Sequence, residues 1–500
     1  MSEVNVKVRD MKSHMRKLEH LMGASALIQW DMRVGAPRKA MADRGEMLAF
    51  LTGEIYKLQT SDKMKEFIDA LIDSKELNAI EKSMVENAKK NYDLTKKVPE
   101  DRAVAYAQVV SNSEAAWEEA KDKNDFESFK PHLKKVIDFQ KELVEHYGYE
   151  GNKYNTMLDI YEPGITVEKL DKIFSDLRDS IVELLNKIKN SSVKIDDSFF
   201  KKNFTTKEQE EFSLFVLDKM GFDFEAGRLD ESVHPFTTNF GNKDVRITTK
   251  YLKNEFRSAL FSTIHEGGHA IYEQDIPDEL KGTGLASGAS MGIHESQSRF
   301  YENIIGRSRA FWQFFFPEAK KTFSQFENVD FEEFYKAINV IQPSLIRTEA
   351  DELTYSLHVI IRYELEKALI NNEVTVEELP KAWNEKYKEY LGVEAETYSE
   401  GVMQDTHWAS GLFGYFPSYA LGNLYGAQFL NKMLKDMPNM YDEIAKGNLK
   451  EIHNWLKDNI HKHGAVYKPA ELIKMVTGEE LTAKYFVEYL NNKYSEIYNL

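Results

Sequence analysis

The 500-residue chain has no cysteine, which excludes disulfides, thiolate metal ligands and a cysteine nucleophile. That absence fits a reducing cytoplasm, the expected location. Chain breakers are scarce: 26 glycines and 12 prolines fall well below the average of roughly 12%. With 29% charged residues, the scarcity predicts a mainly α-helical chain. No run of about 18 apolar residues occurs, so no transmembrane helix is expected. The opening MSEVNVKVRDMKSHMRKLEH also lacks the apolar segment of a signal peptide. Positive charge is in deficit, 65 Lys+Arg against 82 Asp+Glu, for a net −17. An acidic surface repels phosphate backbones, so nucleic acid is not an expected partner.

What is present is helical periodicity. Met11, Met15, Leu18 and Met22 form one stripe, and Leu170, Phe174, Leu177, Ile181, Leu184 and Ile188 form another behind a candidate N-cap at Thr166. Thr206–Gln209 and Thr375–Glu378 have the capping-box form, and Gly221 and Gly392 sit where helices should stop. No repeat, low-complexity tract or linker divides the chain, so residues 1–500 read as one domain. Residues 230–425 carry the chemistry, and residues 1–200 are expected to wall or roof a groove. One stretch breaks the rhythm. Around residues 234–251, Val245 and Ile247 alternate with Asp244, Arg246 and Thr248 after the turn residues Phe240-Gly-Asn242, which predicts a short β-hairpin.

The segment STIHEGGHAIYEQ, residues 262–274, places His265 and His269 four apart with Glu266 between them. Phe256, Leu260, Ile264 and Ile271 mark it as helical from a candidate N-cap at Asn254, so the imidazoles share one face about 5–6 Å apart at Cβ. That spacing lets both bind one zinc ion, with Glu266 close enough to take a proton without being a ligand. Chance gives about 0.03 such patterns in a chain with 13 histidines. Gly267 and Gly268 cost helix stability, and are read as clearance beside the metal. A catalytic zinc wants a third protein ligand. His294-Glu-Ser-Gln-Ser-Arg299 is the next cluster, and spacing does not choose between His294 and Glu295.

These motifs resemble the thermostable carboxypeptidases, a family of metallocarboxypeptidases. The resemblance rests on His234-Pro-Phe236, Asp244–Thr248, His265–His269, His294–Gln297, Ile346-Arg-Thr-Glu-Ala-Asp351 and Gly401–Trp408, in that order, with Trp30-Asp31 near the start. Val34-Gly-Ala-Pro37 departs from the family's wording. The resemblance implies a large helical, gluzincin-type fold with a deep groove between two lobes, and a cytosolic homodimer. It implies one zinc or cobalt ion held by His265, His269 and Glu295, with Glu266 as general base. It also implies removal of single residues from peptide carboxyl termini, with broad specificity and poor action at proline.

By analogy with related peptidases, His407 and Tyr419 are expected to stabilise the developing oxyanion, with Tyr415 and Tyr425 as competitors. A free α-carboxylate calls for an arginine fork. Arg347 is the first choice, oriented by Asp351 at i+4, and Arg246 is the second or closes the groove end. His234 and Gln404 join them as substrate-binding positions. Two other readings compete: an oligoendopeptidase or dipeptidyl carboxypeptidase with the same metal site, and a non-catalytic helical scaffold.

Overall fold

A computed structural model describes residues 2–500. It is mainly helical with one three-stranded sheet. The predicted stripes form the core where they face other helices. Leu170, Phe174, Leu177, Ile181, Leu184 and Ile188 are all buried in the helix Val167–Lys189, capped by Thr166 as expected. In the first helix, Glu3–Val34, Met11, Met15 and Leu18 are buried, but Met22 is 57% exposed, so the predicted stripe ends one turn early. These N-terminal residues pack with Met64, Phe67, Leu71 and Met84 into a small core of their own, separate from the large one. The capping box lies at Thr205 and Glu208, one residue before the predicted one, while the Thr375–Glu378 box forms as expected.

The predicted hairpin is two strands of a mixed sheet. β1 (Gly227–Glu231) runs parallel to β3 (Val245–Thr249), and β2 (Thr237–Asn239) runs antiparallel to it, in the order β1-β3-β2. β1 was missed because Gly-Arg-Leu-Asp-Glu carries no clean alternation. Val245 and Ile247 are buried, and so is Thr248, whose hydroxyl takes hydrogen bonds from the Phe236 amide and Ser232.

Against this sheet lies the histidine helix, Phe256–Asp275, which begins at Glu255 rather than Asn254 because the Glu255 carboxylate accepts the Arg257 amide. A second helix, Met291–Arg299, packs beside it, capped by Ser290. It runs on into a π-helical turn, Phe300–Ile305. A third helix, Pro417–Asp436, covers the other side of Met291–Arg299. Two glycines set these approaches. A Cβ on Gly268 would lie 2.6 Å from the Gln297 carbonyl oxygen, and one on Gly422 would lie 2.5 Å from Glu295 Cγ. The Met291–Arg299 helix is held at both edges by side chains that are absent.

Two buried carboxylates tie distant parts to this centre. Glu162 accepts from the Gly292 amide and the Tyr425 hydroxyl, at 3.1 and 2.7 Å. Burial pushes its carboxyl up to about 7. Glu352 accepts from Lys493, Tyr489 and Tyr494 at 2.6–2.9 Å, which fastens the helix Lys484–Tyr498 to the loop behind Arg347.

Candidate metal centre and cleft

His265 and His269 stand one turn apart with ring centroids 5.0 Å from each other. Their Nε2 atoms point at the same oxygen, Glu295 Oε2, at 3.6 and 3.4 Å. Two ligand atoms each about 2.0 Å from a tetrahedral centre lie about 3.3 Å apart, so two imidazoles and a carboxylate at these separations fit a divalent ion. Among the described residues these three are the one cluster whose donor atoms all lie within 4.8 Å of one another. Of the two candidates that spacing leaves open, Glu295 is the one in this cluster. His294 is turned behind His269, with its Nδ1 2.6 Å from His269 Nδ1 and its Nε2 2.7 Å from Glu273.

Each donor is supported. Glu302, on the π-helical turn, meets His265 Nδ1 at 2.8 Å. Arg299 Nε donates to Glu295 Oε1 at 2.7 Å and its Nη1 to Glu302 at 3.2 Å. Burial opposes a charge on Glu295, but Arg299 and then His265 outweigh it and hold the carboxyl well below its usual range. Burial pushes His269 down to about 3, which keeps its imidazole neutral, as a metal ligand must be.

Glu266 faces a cleft of about 1170 Å³, together with His265, Arg299, Glu302, Arg347 and Tyr355. Its Oε2 accepts from the Thr237 hydroxyl of β2 at 2.5 Å, so the small sheet fixes the glutamate between the histidines. Burial raises its carboxyl pKa; His265 and Thr237 oppose that rise. The two glycines of the motif do not clear space for a metal. Gly267 faces Leu217 and Met220 of the neighbouring helix Thr206–Met220, and Gly268 faces the backbone of Gln297 and Ser298. They are packing glycines, and Gly268 brings the Glu295 helix close enough to complete the donor set.

Arg347 is buried and paired with Asp405, at 3.0 Å through both Nε and Nη2. The expected local pair with Asp351 does not form. Asp351 instead accepts the Thr354 and Gln342 amides, because Arg347 lies in a short 3₁₀ turn where i+4 is no longer the facing position. Arg347 Nη1 donates to the Tyr355 hydroxyl at 2.9 Å, and Arg299 stacks on that same ring at 4.0 Å. Gln404 accepts the Arg347 amide at 2.9 Å and donates to the Leu345 carbonyl, so both ends of its amide are engaged. His407 Nε2 and the Tyr419 hydroxyl are 3.3 Å apart, and Arg347 lies 4.9 Å from the Tyr419 ring. Burial pushes His407 down to about 3 and Tyr419 well above its ordinary value. Tyr425 is committed to Glu162, while Tyr415 lies 5.3 Å from Tyr419.

Of the predicted substrate residues Arg347 lines the cleft, while Gln404, Arg246 and His234 stand apart from its lining. Arg246 gives two nitrogens to Asp244 and lies 4.5 Å from the Trp30 ring and 4.8 Å from Phe240. His234 is exposed, on the loop before β2. Sequence reasoning did not single out Tyr355, Arg299, Glu302, Glu273, Thr237 or Asp405. Arg299 at i+4 and Glu302 at i+7 from Glu295 were the available signal.

A mainly helical body with a small sheet and a candidate two-histidine, one-glutamate metal cluster beside a wide cleft is the arrangement of a metallopeptidase. The relatives make the assignment specific. A profile described as Carboxypeptidase Taq (M32) metallopeptidase matches residues 10–494. Carboxypeptidase 1 of Bacillus subtilis is 47% identical, with all of both chains covered. Thermostable carboxypeptidase 1 of Thermus thermophilus is 39% identical over 97% of each. The solved M32 carboxypeptidase of Deinococcus radiodurans superposes with a TM-score of 0.96 at 35% identity, covering 99% of this chain and 100% of that one. The chain belongs to the M32 carboxypeptidase family and is a metal-dependent carboxypeptidase.

Proposed function

We propose that His265, His269 and Glu295 hold one zinc or cobalt ion, and that Glu266, His407, Tyr419 and Arg347 act around it on the last bond of a peptide. The observation that carries this reading is the convergence of both Nε2 atoms on Glu295 Oε2, beside a cleft lined by Glu266 and Arg347. When bound, the metal supplies a Lewis acid for the carbonyl and lowers the pKa of water toward 7.

Glu266 accepts the proton of the attacking water and passes it to the leaving amine. Thr237 occupies Oε2, which leaves Oε1 as the accepting oxygen. The raised pKa of Glu266 suits a group that must take a proton and then give it up. Tyr419, held protonated by burial, and His407, held neutral, donate to the developing oxyanion. Arg347 binds the free α-carboxylate through its remaining Nη hydrogens, since Asp405 takes the Nε–Nη2 edge and so orients the guanidinium, while Gln404 holds its backbone. Arg246 grips Trp30 of the first helix and closes one end of the groove, while His234 sits at the rim. The family resemblance supports broad specificity, poor action at proline, a homodimer and the cytoplasm. The lack of cysteine agrees with the last.

The test uses zinc-loaded enzyme on two peptides that differ only in a free or amidated carboxyl terminus. Stepwise loss of residues from the free peptide and little cleavage of the amidated one is expected. Undiminished internal cleavage of the amidated peptide would sink the exopeptidase reading. In parallel, Glu266→Gln should keep its metal and lose roughly 10²–10⁴-fold in kcat.

A further inference from the structure

His294 belongs to the motif that supplies Glu295, yet it points away from the donor set and the reaction above makes no use of it. Its ring is wedged between His269 and Glu273, at 2.6 and 2.7 Å, with Glu273 only 5% exposed. The Tyr272 ring lies 5.1 Å from it, and a Cβ on Gly288 would meet His294 Cδ2 at 2.7 Å. Packing on these sides fixes the plane of the ring.

We propose that Glu273 and His294 are positioning residues that set the tautomer of His269 and aim its Nε2 lone pair at the metal. The proposal rests on the metal reading above. A carboxylate only accepts hydrogen bonds, and a neutral imidazole carries one N–H. Glu273 therefore claims the His294 hydrogen at Nε2, and His294 Nδ1 becomes an acceptor. The atom facing that acceptor is His269 Nδ1, which must then carry the His269 hydrogen. Its Nε2 is left bare, 3.4 Å from Glu295 Oε2. Without the relay, His269 is free to place its hydrogen on Nε2, which cannot ligate.

The other histidine reaches the same state more directly. Glu302 accepts from His265 Nδ1, and Arg299 holds Glu302. At His269 the Nδ1 partner is His294 rather than a carboxylate, and Glu295 lies on the Nε2 side at 3.4 Å. His294 links it to Glu273, one turn further along the same helix. Partners of this kind change metal affinity by 10–100-fold when removed.

The experiment compares the full-length wild type with His294→Leu, Glu273→Leu and His294→Gln. Zn²⁺ affinity is read by competition with a chelating indicator, and the melting temperature of each metal-free form is read alongside. The two leucine variants should bind Zn²⁺ about 10–100-fold more weakly with little change in the metal-free melting temperature. His294→Gln should recover most of the loss, since an amide offers both an acceptor and a donor. Independently of any variant, ¹⁵N spectra of the metal-free wild type should place the His269 hydrogen on Nδ1. Unchanged affinity in the leucine variants, equal losses in His294→Leu and His294→Gln, or a hydrogen on His269 Nε2 would overturn the relay alone. A wild type that takes up no stoichiometric Zn²⁺ would overturn the metal assignment itself.

Discussion

At the scale of single residues, the sharpest contrast is between two neighbours of one kind. Gly267 faces the flexible ends of Leu217 and Met220, whereas Gly268 faces the backbone of the helix that carries Glu295. A methyl group at 267 is accommodated by rotating side chains, and alanine's better helix propensity, about 1 kcal/mol, offsets the crowding. A methyl at 268 must push a helix aside, at a cost of about 1–3 kcal/mol. Gly267→Ala is therefore expected to melt close to wild type with normal Zn²⁺ affinity. Gly268→Ala should melt lower and bind Zn²⁺ more weakly, because Glu295 moves with its helix. Thermal denaturation of the metal-free forms and a Zn²⁺ titration separate the two; equal behaviour would show that the backbone approach is not what completes the donor set.

At the scale of elements, the Met291–Arg299 helix depends on a buried acid outside the cleft. Glu162 titrates near 7 in the folded chain, against 4.5 ordinarily. Between those values the folded chain keeps a proton that the unfolded chain has released. Stability from this group is complete below pH 4.5, declines as pH rises through the window, and is short by up to about 3 kcal/mol above pH 7. Glu162→Gln keeps an acceptor for the Gly292 amide and has no charge to bury. It should raise the melting temperature at pH 8 and leave it unchanged at pH 5; a shift of the same size at both would mean the acid is not the source. Elements also show what the sequence made legible. The histidine helix could be read because its apolar stripe and its i, i+4 imidazoles lie within one segment. The third ligand could not, since the turn between residues 269 and 294 decides which side chain faces inward. Glu302 stands at i+7 from Glu295, but its meeting with His265 depends on a π-helical turn that the spacing does not foretell, and β1 is hidden by the lack of alternation. Arg347 was assigned the local acid, Asp351, when its true partner, Asp405, is 58 residues away.

At the scale of the molecule, a site assembled from distant segments is a link between metal and fold. Any ion that binds only the folded chain adds RT ln(1 + [L]/Kd), about 4 kcal/mol at a thousandfold excess over Kd. A chelator should lower the melting temperature, and Zn²⁺ should restore it in proportion to the logarithm of its concentration. A melting temperature that ignores both would mean the donor set does not bind the ion when folded. The small N-terminal core, built from the first helix and residues 64–88 with Leu285, is a cluster apart from the large one. It was legible as helices but not as a separate cluster, since periodicity reports which face is buried and not against what.

The close fit of Gly422 over Glu295 also says when the enzyme comes to life. Chains emerge from the ribosome amino terminus first. The two histidines appear just past the midpoint of the chain, but the helix that braces Glu295 starts roughly 150 residues after them, and His407 and Tyr419 come with it. The clasp of Lys493 and Tyr494 on Glu352, behind Arg347, follows later still. Hydrolytic power is withheld from the growing polypeptide until nearly all of it has been synthesised, so the order of synthesis itself serves as a safety catch.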